Sequence, residues 1–278
     1  MNKKGFLIDM DGVIYKGSEP IPGAVKFINN LRDSGYPFLF LTNNSQRTSR
    51  DVCYKLRKIG FNVNDEDIFT CAMATARYLA SRKENGTAYV IGEGGLLNEL
   101  HQAGYSIVED NPDFVIIGEG RTIMLESVDK AINMVMNGSK LIATNMDANC
   151  PVGNGKYRAG CGAYVAMIEV ATGKQAFSVG KPSPVMMRMA RKTLGLGTDD
   201  TIMIGDTMGT DILGAGSMGF TTVLTLSGVT NKTDLDHYGY TPDFVINSVK
   251  DLLDEALFKR VLEKQSELPQ MSAALGQK

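Results

Sequence analysis

The stretch Gly5-Phe6-Leu7-Ile8-Asp9-Met10-Asp11-Gly12-Val13 runs an apolar segment directly into two carboxylates separated by one residue. Phe6-Leu7-Ile8 predicts a buried strand, and Gly12 loosens the turn after it, so Asp9 and Asp11 can reach one reaction centre. The arrangement recurs downstream. Phe38-Leu39-Phe40-Leu41 ends at Thr42-Asn43-Asn44, and Thr201-Ile202-Met203-Ile204 leads through Gly205 to Asp206. Ligands of open α/β sheets bind outside the carboxyl ends of the strands. If these three strands are neighbours, their terminal residues meet in one crevice.

Outward from these strands, short β-rich runs alternate with helix-period stretches, which predicts an α/β fold with a mainly parallel sheet. Helices are expected over Pro22–Ser34, from about Thr48 to Ile59, and over Ala72–Arg82. After Glu84-Asn85-Gly86 the alternation restarts, with strands at Ala88–Ile91, Phe114–Ile117 and Leu141–Ala143 around helices at Leu96–Ala103 and Leu125–Met136. A Gly-rich loop, Val152-Gly153-Asn154-Gly155, precedes an apolar helix over Ala163–Val170. Ala176–Val179 then leads to Gly180-Lys181-Pro182, a helix from about Pro184 to Leu194, and a helix over Ile212–Met218. The remaining strands fall at Thr222–Thr225 and Phe244–Ile246. From Lys259 the composition turns polar and reads as a frayed extension without chemistry.

Bulk properties narrow the function classes. A chain of 278 residues can hold one large or two modest domains. Its 29 Lys+Arg against 31 Asp+Glu leave a net charge of -2, which gives no reason to expect a nucleic-acid polymer or a membrane surface as partner. No apolar run approaches the roughly 18 residues of a spanning helix, and Asp9 and Asp11 interrupt the first apolar stretch, so the chain reads as cytoplasmic. Four cysteines without a C-x-x-C pair, and only two histidines, argue against a disulfide framework or a zinc site, although Cys150 and Cys161 could meet across a loop.

Each polar segment taken alone has a plain structural reading. Asp-x-Asp-Gly is a common turn, Thr42-Asn43-Asn44 an Asx turn, and Gly180-Lys181-Pro182 a turn with a solvated lysine. Gly92-Glu93-Gly94-Gly95 lacks the spacing of a nucleotide-binding loop and reads as a βα turn. Together, each after an apolar run, the other segments and Gly205-Asp206-Thr207-Met208-Gly209-Thr210-Asp211 suit phosphoryl chemistry. Asp9, Asp11, Asp206 and Asp211 would raise one another's pKa and repel a phosphate ester unless a cation sat among them. Oxygen-only ligands favour Mg²⁺, and Lys181 would add a second positive charge.

The order Asp9-Met10-Asp11-Gly12-Val13, Thr42-Asn43-Asn44, Gly180-Lys181-Pro182 and Gly205-Asp206 through Thr210-Asp211 resembles the haloacid dehalogenase superfamily. More narrowly it resembles the NagD-like phosphatases, which carry a large α/β cap between the second and third motifs. The similarity continues through Ala72–Ala76, Ala88–Gly94, Asn111–Ile116 and Ala143-Thr144-Asn145. The resemblance implies a Rossmann-like core of residues 1–80 and 178–258, an inserted α/β cap of residues 81–177, and a C-terminal extension of residues 259–278.

It further implies Asp9 as nucleophile, Asp11 as general acid and base, and Mg²⁺ held by Asp9, the Asp11 carbonyl and Asp206, with Asp211 behind them. Thr42, Asn43, Asn44 and Lys181 would bind the transferred phosphoryl group. The substrate would be a small phosphate ester, a nucleotide or sugar phosphate, and an insert large enough to cover the crevice disfavours a folded phosphoprotein. A homo-oligomer formed through the cap is compatible with the sequence. The cap departs from the family pattern at Thr144-Asn145-Met146-Asp147, where a proline commonly precedes the aspartate, and at Cys150, where a vitamin-phosphate-specific branch carries histidine. Asp147 and Cys150 follow a predicted strand of the insert, where a cap would face the leaving group, and are for that reason the expected selectivity residues. The alternatives are a dehalogenase, which has no use for Asp11, and a non-catalytic phosphometabolite sensor.

Overall fold

The computed structural model describes residues 4–153 and 156–264. Six strands form one parallel sheet in the order Phe244–Ile246, Thr221–Thr225, Thr201–Gly205, Gly5–Asp9, Phe38–Thr42, Ile68–Thr70. The Gly5–Asp9, Phe38–Thr42 and Thr201–Gly205 strands are buried along their whole length, as expected for a parallel sheet covered on both faces. Alternation divides their side chains between two layers. Phe6, Ile8 and Phe40 pack with Phe27, Ile28 and Leu56 on one face. Leu7, Leu39, Leu41 and Met203 face the other.

A second sheet, also parallel, runs Phe177–Ser178, Lys140–Ala143, Phe114–Ile117, Thr87–Ile91, Ser106–Ile107. The Leu125–Met136 and Cys161–Thr172 helices cover one of its faces through Val128, Ala131, Val165 and Ile168. Its other face joins the first sheet. Ala88, Phe114, Ile116 and Ile142 belong to the same apolar cluster as Leu7, Leu39, Leu41 and Met203, bridged by Ala72, Ala76 and Leu79 of the Cys71–Ala80 helix and by Leu96 and Leu100 of the Gly94–Gln102 helix.

Two segments differ from the sequence reading. Val152 and Gly153 of the expected Gly-rich loop belong to a strand, Asn149–Gly153, that pairs antiparallel with Lys156–Ala159 and sets Cys150 opposite Arg158. Its Pro and exposed, non-alternating residues gave no strand signal, and Asn154 and Gly155 lie outside the described residues. The extension expected from Lys259 begins inside a helix, Glu255–Leu262, whose Asp254 N-cap accepts from Leu257 N at 2.8 Å. That helix stacks Phe258 on Phe6 at 5.8 Å and buries Val261. Residues 265–278 of the extension lie outside the described residues.

Candidate active site

The three strands whose ends carry Asp9, Thr42 and Asp206 are immediate neighbours. Ile8 pairs with Ile204 and Asp9 with Leu41, so continuing the register sets Asp9 level with Gly205 and brings Thr42 and Asp206 just above it. Lys181 enters from the third motif, almost fully buried. Its Nζ hydrogen-bonds Asp9 Oδ1, and Asp211 Oδ1 at 2.7 Å.

Asp211 reaches the site through an irregular turn. Residues Met208–Ile212 form a single π-helical turn before the Leu213–Ser217 helix, a bulge that often marks functional positions. The turn folds Asp211 back so that its Oδ2 accepts from Thr207 N at 3.2 Å. Asp206 is held by Val229 N at 2.8 Å and the Thr207 hydroxyl at 2.9 Å. Gly12 sits at φ 82°, and a side chain there would strike Asp206 and the Gly228 backbone, which explains the glycine after Asp11.

Charge in this pocket is unbalanced. The carboxylates of Asp9, Asp206 and Asp211 offer oxygens that all lie within 4.8 Å of one another. Burial, opposed by Lys181 but reinforced by Asp211 and Asp206, pushes the Asp9 carboxyl well above its usual range. Burial and Asp211 push Asp206 up to about 6, against the Val229 amide and Thr207 hydroxyl. Burial pulls the Lys181 ammonium down, yet Asp211 and Asp9 override it and hold Lys181 above its ordinary value. Three acids around one ammonium leave room for a divalent cation, and an all-oxygen donor set fits Mg²⁺. The trio joins Asp211 to Asp9 and Asp206; the Asp11 side chain is not among its oxygens. Asp11 instead reaches solvent, its carboxyl raised by desolvation against the pull of Lys55 and Lys16.

The Thr42–Asn44 loop is shaped by its own side chains. Thr42 Oγ1 accepts from Asn44 N at 3.0 Å, and Asn44 Oδ1 accepts from Gln46 N at 3.0 Å. Asn43 is gripped by the loops that follow two strands of the second sheet, Lys140–Ala143 and Phe177–Ser178. Its Oδ1 accepts from Lys181 N at 2.8 Å, and its Nδ2 donates to the Lys181 carbonyl at 3.0 Å and to Asp147 Oδ2 at 3.1 Å. Its own carbonyl accepts from Asn145 Nδ2 at 2.8 Å. Gly180 has to be glycine here, since a Cβ would run into Asn43 Oδ1 and the Thr144 carbonyl. Cys150 lies farther along the rim, half-buried, with its thiol 3.5 Å from Glu119 Oε1.

This geometry coincides with extensive similarity to known proteins. Residues 6–106 match the haloacid dehalogenase-like hydrolase family, and residues 178–252 match an HAD-hydrolase-like family. The chain is 43% identical over 249 residues to the dihydroxyacetone phosphatase of Corynebacterium glutamicum strain R, covering 90% of each chain. It is 40% identical over 252 residues to the ribonucleotide monophosphatase NagD of Escherichia coli K12, covering 91% of this chain and 99% of that one. The chain belongs to the haloacid dehalogenase-like hydrolases. Within them it is a NagD-like phosphatase, a phosphoric monoester hydrolase. The p-nitrophenyl phosphatase of Archaeoglobus fulgidus superposes with a TM-score of 0.86 at 37% identity, covering 92% of this chain and 100% of that one. Among the described residues no helix is long and apolar enough to cross a membrane.

One buried acid at this haloacid dehalogenase-like site escaped the sequence reading. Glu119 is 5% exposed and accepts from Asn44 Nδ2 at 3.2 Å, with Arg158 Nη2 at 3.7 Å. Burial pushes its carboxyl up to about 7, against Arg158 and the Cys150 thiol. A signal existed: Phe114-Val115-Ile116-Ile117-Gly118-Glu119 repeats the strand-glycine-acid pattern that marks Asp206.

Proposed function

We propose that this phosphatase is Mg²⁺-dependent and hydrolyses a small phosphomonoester, a nucleotide or sugar phosphate, through a phosphorylated Asp9. One observation carries the reading: the buried Lys181 ammonium hydrogen-bonds Asp9 and Asp211 together, while Asp9, Asp206 and Asp211 crowd within 4.8 Å. Residues 1–80 and 178–258 then bear the chemistry, and residues 81–177 form the cap that closes over the leaving group. The names of the relatives, a ribonucleotide monophosphatase and a dihydroxyacetone phosphatase, support the substrate class.

In the first step an Asp9 oxygen attacks phosphorus, the ester P–O bond breaks, and Asp11 gives its proton to the departing alkoxide. The raised Asp11 carboxyl suits that task, since it holds a proton more readily than an ordinary aspartate. Lys181 fixes Asp9 through Oδ1, which leaves the other oxygen for the attack. In the second step Asp11 takes a proton from water, the water oxygen attacks phosphorus, and the bond to Asp9 breaks, which releases phosphate and restores the Asp9 carboxylate and the protonated Asp11 acid. Mg²⁺ held by Asp9, the Asp11 carbonyl and Asp206, with Asp211 behind them, would neutralise the phosphoryl oxygens. Thr42, Asn43, Asn44 and Lys181 would hold those oxygens in place.

The test is acid-quenched turnover of p-nitrophenyl phosphate followed by peptide mass spectrometry. The expected result is a phosphoryl group on the peptide containing Asp9 in the wild type, and neither label nor turnover in Asp9→Asn. Turnover near wild type in Asp9→Asn would sink the covalent route.

A further inference from the structure

The second sheet has a topological switch point of its own. Its strand order places Thr87–Ile91 beside both Phe114–Ile117 and Ser106–Ile107, so the chain leaves Thr87–Ile91 in one direction and returns on the other side. Open parallel sheets bind ligands at such a switch, outside the carboxyl ends of the strands. Here that place is filled by the core loop that follows Thr42. Gly95 N, at the start of the Gly94–Gln102 helix, donates to the Gln46 carbonyl at 2.9 Å. A Cβ on Gly95 would collide with the Gln46 and Arg47 backbone, so the approach requires glycine. Glu119 N donates to Ser45 Oγ at 2.9 Å, and Asn44 Nδ2 donates to Glu119 Oε2 at 3.2 Å. With the Gln46 amide oriented to satisfy both its atoms, its oxygen accepts from Arg158 Nη1 at 2.8 Å.

We propose that Glu119 is a positioning residue of the reaction: from the switch point of the cap sheet it holds Asn44, and through Asn44 the loop that binds the phosphoryl group. The inference rests on the reading of Thr42–Asn44 as that loop. Glu119 suits the task because it offers an acceptor that is nearly sealed from water, braced by Arg158 and joined to the loop by both its side chain and its backbone. The cap thereby takes part in binding the group common to all substrates, besides facing the group that varies.

The experiment uses the full chain with Mg²⁺ and compares wild type, Glu119→Ala, Glu119→Gln and Glu119→Asp. It measures kcat and KM for p-nitrophenyl phosphate, a nucleoside monophosphate and a triose phosphate, and the inhibition constant of inorganic phosphate. Losing a buried hydrogen bond to a charged group corresponds to a factor on the order of ten or more. Glu119→Ala should lower kcat/KM by that factor for all three esters alike and weaken phosphate inhibition in parallel. Glu119→Gln, which keeps an acceptor for Asn44, should recover most of both, and Glu119→Asp, which is too short to reach, should not. Unchanged constants in a folded variant, or losses confined to some esters with phosphate inhibition intact, would overturn the proposal. If Glu119→Ala does not fold, the contrast between Glu119→Gln and Glu119→Asp decides the question by the same criteria. Asp9→Asn separates the two levels: if it is inactive while the Glu119 variants behave as wild type, only the positioning role fails.

Discussion

Lys181 and Asn43 form a reciprocal pair in which the Lys181 amide donates to Asn43 Oδ1 at 2.8 Å and Asn43 Nδ2 returns a bond to the Lys181 carbonyl at 3.0 Å. The residues are 138 positions apart, yet the pair fixes the backbone from which the Lys181 ammonium reaches Asp9. Asn43→Ala would leave two buried main-chain groups unpaired, at roughly 1–3 kcal/mol each. The expected outcome is a melting temperature lower by several degrees and a loss of kcat/KM for every ester. Thermal melts and steady-state rates on one preparation check both.

Asp11→Asn should slow esters with poor leaving groups by about 10²–10⁴-fold in the first step, while p-nitrophenyl phosphate, whose leaving group needs little protonation, loses far less. Single-turnover rates for both ester types make the comparison. Equal losses would argue against the acid role.

Chelation should silence the enzyme and Mg²⁺ should restore it, whereas Ca²⁺ should inhibit because its looser coordination misplaces the reacting oxygens. A readout independent of turnover is the melting temperature. Mg²⁺ should raise it in wild type, since a cation removes the mutual repulsion of Asp9, Asp206 and Asp211, and should do so much less in Asp206→Asn.

Lys181→Ala should depress all substrates together, on the order of 10² or more in kcat, because the group it serves is shared. Cys150→His should instead reorder a panel of phosphate esters, as the half-buried Cys150 stands on the cap hairpin. Asp147→Ala divides the two roles of its residue: a reordered panel marks a contact with the leaving group, and a uniform loss marks its bond to Asn43.

Glu119 gives a pH prediction for stability. Its carboxyl stands near 7 in the folded chain, above its ordinary value of 4.5. Between those values the folded state binds more protons than the unfolded one, so the contribution of Glu119 is fully present below 4.5 and is lost as pH rises through 7. Glutamine does not titrate. The melting temperature of Glu119→Gln relative to wild type should therefore climb between pH 5 and pH 8, read from melts at about four pH values.

The legible part of the fold was the part that local burial determines. Gly5–Asp9, Phe38–Thr42 and Thr201–Gly205 are apolar on both faces, so their ends, and with them Asp9, Thr42 and Asp206, stood out in the sequence. What stayed hidden depends on contacts between the two sheets. The Asn43–Asp147 and Asn44–Glu119 bonds span 104 and 75 positions, and nothing near any of the four residues announces its partner. Asp211 was legible as a member of the acidic cluster, but the π-helical turn that carries it there was not, since no residue pattern signals that turn. The Glu255–Leu262 helix was readable in principle from Leu257, Phe258, Val261 and Leu262, but the charges among them masked the period.

The apolar cluster that runs from Leu7 and Met203 through the Cys71–Ala80 helix to Ala88 and Ile116 has a consequence for modularity. Neither sheet owns that cluster. Deleting the inserted segment would uncover Ala72, Ala76 and Leu79 on the remaining half, and transplanting an insert from another phosphatase would set unmatched side chains against them. With the insert selecting the substrate as proposed, selectivity would change by substitution along the rim of the crevice and not by wholesale exchange of the insert.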